Sequence, residues 1–299
     1  MPTQPELRVE PSKYLIVTAD DFGLHSAVNV AVEIGNRSGS LSAASLMMGA
    51  PGTVDAVSRA HGLPALRVGL HLTLIDGWSV LPQRLIPSLV GADRKFGNQM
   101  FLDGVRFFAQ RNVREQLRAE MRAQFEAFAA TGLNFDHVNA HKHFHLHPTI
   151  LSILMELARE FGVQSVRVPV EPLSYSVKAS KFGGAALGNL ASRPIIGLMR
   201  RRLKQNGLHC ADQVFGTTRS GAMDESAFLD IIRSLKPGST EIYLHPAVPS
   251  GAPISASMRD YRHTDEFAAL VSPRVMAALS DPTIKMTGYR ELAGLKARQ

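Results

Sequence analysis

From residue 14 onward the chain alternates short apolar, β-branched runs with helix-periodic segments, and this alternation restricts the fold more than any single motif. Residues 14–19 read as a buried strand and 26–34 as the helix after it; 41–48 and 53–60 repeat the pair. Residues 67–74 are a third strand. Val113, Leu117, Met121, Phe125 and Phe128 set an apolar stripe on a helix that Gly132 can end. A strand over 134–139, a helix over 149–161 and a strand over 163–170 follow. Residues 183–205 are irregular, then helical and basic. Strands at 212–215 and 239–244 flank a helix at 225–235, and a strand at 284–287 with a helix at 291–297 closes the series. Such alternation builds a parallel sheet covered by helices. About seven βα units without an evident boundary predict an α/β fold, a distorted TIM-like (β/α) barrel forming a single domain over 14–299 behind a flexible segment 1–13. No dinucleotide fingerprint follows the first strand, which argues against a Rossmann enzyme. Residues 75–99, rich in Gly, Pro and Asp, are expected to be a lid or substrate loop.

Five of the eleven histidines fall within residues 136–148. His141, His143, His145 and His147 alternate with Lys142, Phe144 and Leu146, so an extended backbone would line one side with four imidazoles. Pro148 suits the first turn of a helix. A surface histidine tract is the other reading, but a tag would be terminal and would not interleave with Phe and Leu.

Asp20, Asp21, His71, His141 and His245 share one property: each lies at or just past the C-terminal end of a predicted strand, the rim on which a βα barrel builds its active site. Two histidines and a carboxylate make a ligand set for a divalent metal with open positions, and a second carboxylate beside them can serve as a base. Each residue alone has a structural reading too. Asp20 and Asp21 fit a helix N-cap pair, His71 a buried, satisfied imidazole, His245 a helix cap, and Arg167 an ion pair with Glu171.

The 299 residues, 45% apolar and 20% charged, hold ample material for a core, and no apolar run is long enough to span a bilayer. With Cys210 alone no internal disulfide forms, and the first thirteen residues have no apolar leader core, so the expected location is cytoplasmic. The net charge of +7 gathers in one region: Lys178, Lys181, Arg193, Arg200, Arg201, Arg202 and Lys204, interleaved with Ile195, Ile196, Leu198, Met199 and Leu203. Without an RNP-type motif, zinc-finger spacing or Walker loop, nucleic acid is not the expected partner. A solvated face is one reading of residues 193–208, and a peripheral contact with the inner face of a membrane is the other.

With Thr18-Ala19-Asp20-Asp21-Phe22-Gly23, Gly69-Leu70-His71-Leu72 and the His141-to-His147 run in hand, the chain resembles the YdjC-like carbohydrate deacetylases, the family of the chitooligosaccharide deacetylase ChbG. The resemblance implies a distorted barrel and metal-dependent hydrolysis of an N-acetyl group from a sugar. It implies Asp20 as general base, Asp21, His71 and His141 as ligands of one divalent metal, and His245 as general acid. His143, His145 and Arg167 become candidates for orienting the sugar or supporting the ligands. Zinc suits such a set; magnesium, nickel, cobalt and iron also fit by ligand type. Lys142 stands where many members have another histidine, and Asn139 where they often have Asp. The wording from Asn139 to Pro148, with Arg167-Val168-Pro169-Val170-Glu171-Pro172, is most similar to the hopanoid-biosynthesis-associated subgroup HpnK. That likeness implies an N-acetylglucosaminyl hopanoid as substrate. Chitooligosaccharide deacetylation, phosphoester hydrolysis, sugar isomerisation and a non-catalytic metal- or lipid-binding barrel are the alternatives, and a homodimer is left open.

Overall fold

The computed structural model describes residues 13–179 and 184–296. Residues 1–12 of the segment expected to be flexible, together with Lys181, lie outside the described residues, and Lys13 already belongs to the first strand. The elements in chain order are β1 (Lys13–Phe22), α1 (Ser26–Ser38), β2 (Ala43–Leu46), α2 (Thr53–His61), β3 (Arg67–Leu72), α3 (Met100–Ala109), α4 (Arg111–Ala130), β4 (Val138–Ala140), α5 (Pro148–Glu160), α6 (Leu173–Ala179), α7 (Gly184–Gln205), β5 (Gln213–Phe215), α8 (Glu225–Arg233), β6 (Gly238–Leu244), α9 (His263–Leu270), α10 (Pro273–Leu279), β7 (Ile284–Met286) and α11 (Tyr289–Lys296).

Every strand pairing is parallel, in the order β4-β3-β2-β1-β6-β5. One edge of β1 pairs with β6 along its length, from Lys13↔Gly238 to Ala19↔Leu244. Its other edge is shared: Lys13 to Leu15 pair with β7, and β2 takes over from Thr18. Beyond β4 the ladder thins to single bridges, Val138↔Val166 and Ser165↔His209. Val214 N–H then donates to Val170 C=O, and β5 pairs with β6. The predicted strand over 163–170 is thus reduced to bridges. The reason is local: Pro169 has no N–H to give a ladder, and Val170 N–H folds back on the Val168 carbonyl at 2.7 Å. The architecture is the α/β, distorted (β/α) barrel that the alternation predicts.

The helices bury the faces their periodicity indicates. Val113, Leu117, Met121, Phe125 and Phe128 of α4 are all buried. The same helix carries two buried polar residues with a distinct task. Glu120 accepts from Val80 N–H (2.8 Å) and Leu81 N–H (2.9 Å), and Gln124 bonds both N–H and C=O of Thr73. With Ile75, Ile86, Val90 and Phe96 also buried, the segment 75–99 is anchored to α4 over part of its length. Gly69 of β3 is required by close approach, since a Cβ there would lie 2.5 Å from the His137 ring. Among the described residues no helix is long and apolar enough to cross a membrane.

Candidate metal centre

The site begins with an irregularity in β1. Adjacent strand residues face opposite sides, yet both Asp20 and Asp21 are needed in one place. Between Ala19 and Phe22 the register with β2 shifts, and Asp21 takes φ of 61°, a left-handed conformation that Asp tolerates better than most residues. Both carboxylates are buried, Asp20 toward Arg167 and Asp21 toward two histidines. Neither is the N-cap of α1; that place belongs to His25, whose Nδ1 accepts from Ala27 N–H.

His71, near the end of β3, brings Nε2 to 3.3 Å from Asp21 Oδ1, and His141, directly after β4, brings Nδ1 to 3.0 Å from the same oxygen. These contacts are short, but they lack hydrogen-bond geometry. Both Asp21 oxygens, His71 Nε2 and His141 Nε2 are buried without a hydrogen-bond partner. One ligand atom from each residue falls within 4.8 Å of the others. Metal–ligand bonds of about 2.0–2.1 Å in a tetrahedral arrangement separate ligand atoms by about 3.3 Å. The donor set and its spacing therefore fit a divalent cation, and the orphaned atoms have a reason to converge.

The other carboxylate is held differently. Arg167, completely buried, places Nη1 2.5 Å from Asp20, and Nη2 and Nε 2.7 and 3.0 Å from Glu241. Thr18 (2.6 Å) and Tyr289 also donate to Glu241. Burial would raise the pKa of Asp20, but the Arg167 guanidinium outweighs it and holds the carboxyl well below its usual value. The Arg167–Glu171 pair suggested by their proximity in sequence does not form. Glu171 instead accepts from Gly216 N–H (3.1 Å), Ser176 (2.7 Å) and Thr218.

Asn139 joins the two halves. Its amide lies 2.6 Å from His71 Nδ1 and beside Arg167 and Ser45. With the amide N–H toward His71, its oxygen accepts from Arg167 Nη1 (2.7 Å) and Ser45 (2.9 Å), which pairs donors with acceptors throughout. For His71 to offer its Nε2 lone pair to a cation, Nδ1 must carry the proton and the amide must turn its oxygen that way. Amide orientation and imidazole tautomer move together. Burial would lower the pKa of His71, but Asp20 and Asp21 raise it above the ordinary histidine value.

The histidine run departs from the extended geometry expected of it. Residues 141–146 curl into a 3-10 turn, with Lys142 (φ 53°, ψ 26°) and His143 (φ 54°, ψ 28°) in the left-handed region, and Pro148 then starts α5 as predicted. The four imidazoles consequently do not share one face. His141 meets Asp21; His143 Nε2 lies 3.0 Å from the Tyr243 hydroxyl; His145 Nε2 donates to the Arg167 carbonyl (2.8 Å); His147 stands edge-on to Phe107. Burial drives His145 down to about 4 despite that bond, and lowers His143 well below the usual value. The fifth, His137, bonds Ser45 (3.0 Å) and Asp136 (2.9 Å) in the interior.

His245 follows β6. Its N–H donates to Glu266 at 2.5 Å, His263 Nδ1 donates to its carbonyl at 2.6 Å, and its ring meets Tyr261 with centroids 5.1 Å apart. Burial lowers its pKa against the pull of Asp21 and Asp20, so it is neutral at rest, with Nδ1 unpartnered. Burial likewise raises Glu266 to about 7. The sequence reading missed Glu241, Tyr243, Glu266 and Tyr261. Glu241 and Tyr243 were detectable, because with His245 they stand at period two, alternating with Ile242 and Leu244.

Comparison with known proteins identifies relatives of the whole chain. Residues 14–281 match the family described as YdjC-like protein. The chain is 26% identical over 281 residues to a carbohydrate deacetylase of Geobacillus stearothermophilus, covering 93% of this chain and 98% of that protein. It is 38% identical over 157 residues to a carbohydrate deacetylase of Brevibacillus brevis, a match limited to 52% of this chain and 59% of that protein. A crystal structure from Enterococcus faecalis V583, of a protein provisionally named for cellobiose-phosphate cleavage, superposes with a TM-score of 0.72 at 23% identity, over 94% of this chain and 99% of that one.

Proposed function

This chain belongs to the YdjC-like family, and on that premise we propose that it is a metal-dependent carbohydrate deacetylase, a hydrolase that removes the N-acetyl group from an N-acetylglucosaminyl substrate. The observation that carries this reading is the convergence of Asp21, His71 and His141, with orphaned ligand atoms, beside a second carboxylate on the same strand end. A cation bound there supplies Lewis-acid polarisation of the acetamide carbonyl and a more acidic water. Asp20 takes the proton of the attacking water. Arg167 keeps this carboxylate ionised and also makes it a weak base, so the transfer depends on water of lowered pKa. His245, neutral at rest and within the field of both aspartates, is the group we assign to relay to the departing amine the proton that Asp20 has taken from the water. Without that proton the C–N bond would have to expel a very poor leaving group.

Arg167 and His145 are fully buried, so their part is to position Asp20 and the site floor. His143, the least buried of the three sugar-orienting candidates and with no partner at its buried Nδ1, is the one we assign to meet a sugar hydroxyl. In the finer reading the substrate is an N-acetylglucosaminyl hopanoid, met by a cytoplasmic enzyme that touches the membrane through residues 193–208. The test is acetate release from N-acetylated chitooligosaccharides and from the glycolipid, with protein as purified, chelator-stripped and restored with zinc or magnesium singly. Release restored by metal supports the chemistry, and the substrate preference decides between lipid and oligosaccharide. Metal-bound protein that releases no acetate from either would overturn the assignment.

A further inference from the structure

Two helices beside the site carry apolar surface that the core does not use. On α3, Phe101, Leu102, Val105 and Phe108 lie on one side at helical spacing and are 80%, 54%, 50% and 64% exposed. The opposite side of α3 is also apolar and is already employed: Phe107 packs on Phe144 and His147, and Gly104 lies against His147. The longer helix α7 repeats the arrangement. Ile196, Met199 and Leu203 face inward, while Leu187, Leu190, Ile195 and Leu198 are 67%, 50%, 51% and 57% exposed. A helix that is apolar on two faces needs something beyond the core to cover the second one. Both α3 and α7 touch the turn that supplies His141, so the two helices that carry the uncovered stripes stand beside the metal centre.

Charge selects the occupant. Between Glu171 and Asp212 the chain has no acidic residue, while Lys178, Lys181, Arg193, Arg200, Arg201, Arg202 and Lys204 all fall there. A second copy docked through α7 would bring the same cations against themselves. A nucleic acid would answer the arginines but leave the Phe, Leu and Ile side chains without apolar cover. An anionic bilayer satisfies both, with phosphates for the arginines and the acyl boundary for the apolar side chains.

We propose that α3 and α7 form a two-helix interfacial surface that docks the protein on an anionic lipid bilayer with the metal centre facing the lipid headgroups. The docking rests on exposure and charge. Its consequence, that the site is presented to a lipid-borne N-acetyl sugar, rests on the deacetylase reading. Residues 193–208 alone do not make this surface, because α3 contributes its most exposed aromatic side chains.

The experiment is co-sedimentation of the full chain with vesicles of phosphatidylcholine, with and without phosphatidylglycerol, alongside acetate release from a soluble N-acetylated chitooligosaccharide. The expected result is binding to phosphatidylglycerol vesicles at least tenfold tighter than to pure phosphatidylcholine, weakening with salt. The double variants Phe101→Ser/Phe108→Ser and Ile195→Ser/Leu198→Ser should each weaken vesicle binding at least tenfold. Their acetate release from the soluble sugar should stay within twofold, since these side chains are exposed and outside the catalytic set. Wild-type protein that stays in the supernatant with both vesicles overturns the docking surface, as does binding unchanged in both variants. So does a dimer seen by light scattering that both variants dissolve, because a second copy would then be the cover. Vesicle binding with no acetate from any substrate would refute the deacetylase reading and leave the surface standing; acetate release without vesicle binding would do the reverse.

Discussion

The floor of the site and its mouth are built from the same kinds of side chain and treat them in opposite ways. On the floor, Arg167, Glu241, Asp20, Thr18 and Tyr289 exchange hydrogen bonds and charge. In the mouth, Asp21, His71 and His141 crowd together with both carboxylate oxygens and two imidazole nitrogens left without a hydrogen-bond partner. A buried, unpaired polar atom is costly, so it survives where something outside the chain completes it. Folding satisfies the floor, whereas the mouth keeps donor atoms that a ligand could use. This contrast separates residues whose loss should unfold the protein from residues whose loss should only empty it.

The largest expected effect lies on the floor. Arg167→Leu leaves Asp20 and Glu241 as buried, unpaired carboxylates, and a loss of about 3–5 kcal/mol is expected in urea unfolding. A variant as stable as the parent would break the comparison. Next comes acid lability at the edge of the floor. His145 is held down to about 4 by burial, below its unfolded value near 6.5. The unfolded chain therefore takes up the proton first as pH falls. Stability is fully present above about pH 6.5 and declines toward pH 4, by up to about 3 kcal/mol from this group. In His145→Gln that portion of the slope should vanish from unfolding curves recorded across the window.

The mouth should answer differently. Asp21→Asn is expected to weaken zinc affinity at least a hundredfold by calorimetry, while the metal-free variant stays within about 1 kcal/mol of the parent, because a crowded buried charge has been removed along with the ligand. Severe destabilisation of the metal-free form would show that Asp21 belongs to the floor after all. The smallest effect tests the hinge between the halves. Asn139→Asp gives His71 Nδ1–H a permanent acceptor and keeps an acceptor for Arg167, so metal affinity should rise about tenfold. Affinity should also climb as pH rises through and beyond 6.5, since protonated His71 cannot ligate and its pKa is raised in the metal-free site.

The candidate site residues were legible in the sequence because a strand end is a local signal: Asp20, Asp21, His71, His141 and His245 could each be placed on the rim without knowing their neighbours. Their partners were not. Glu241 could be placed on a strand face, but its pairing with Arg167, 74 positions away, could not be read, since nothing local favours it over nearby Glu171. The shape of the histidine run was also beyond a pattern reading. Alternating His residues have a strand's period, but the chain has to turn from β4 into α5 within residues 141–147, and Lys142 and His143 accept left-handed angles to do so. Pro169 acted in the same way on the predicted strand over 163–170, by withholding one N–H.

The shared edge of β1 has a consequence for how the molecule comes into being. Asp20 and Asp21 are synthesised well before residues 238–244 and 284–286, yet the strand that carries them is paired along one side by the former and clasped at its base by the latter. Contacts between segments far apart in sequence close long loops and are entropically slow to form. Until residues 238–244 have left the ribosome, β1 therefore has an open edge and the carboxylates lack a completed site. Metal affinity should emerge only after β6 has been synthesised, and a nascent chain stopped short of residue 238 should lack it.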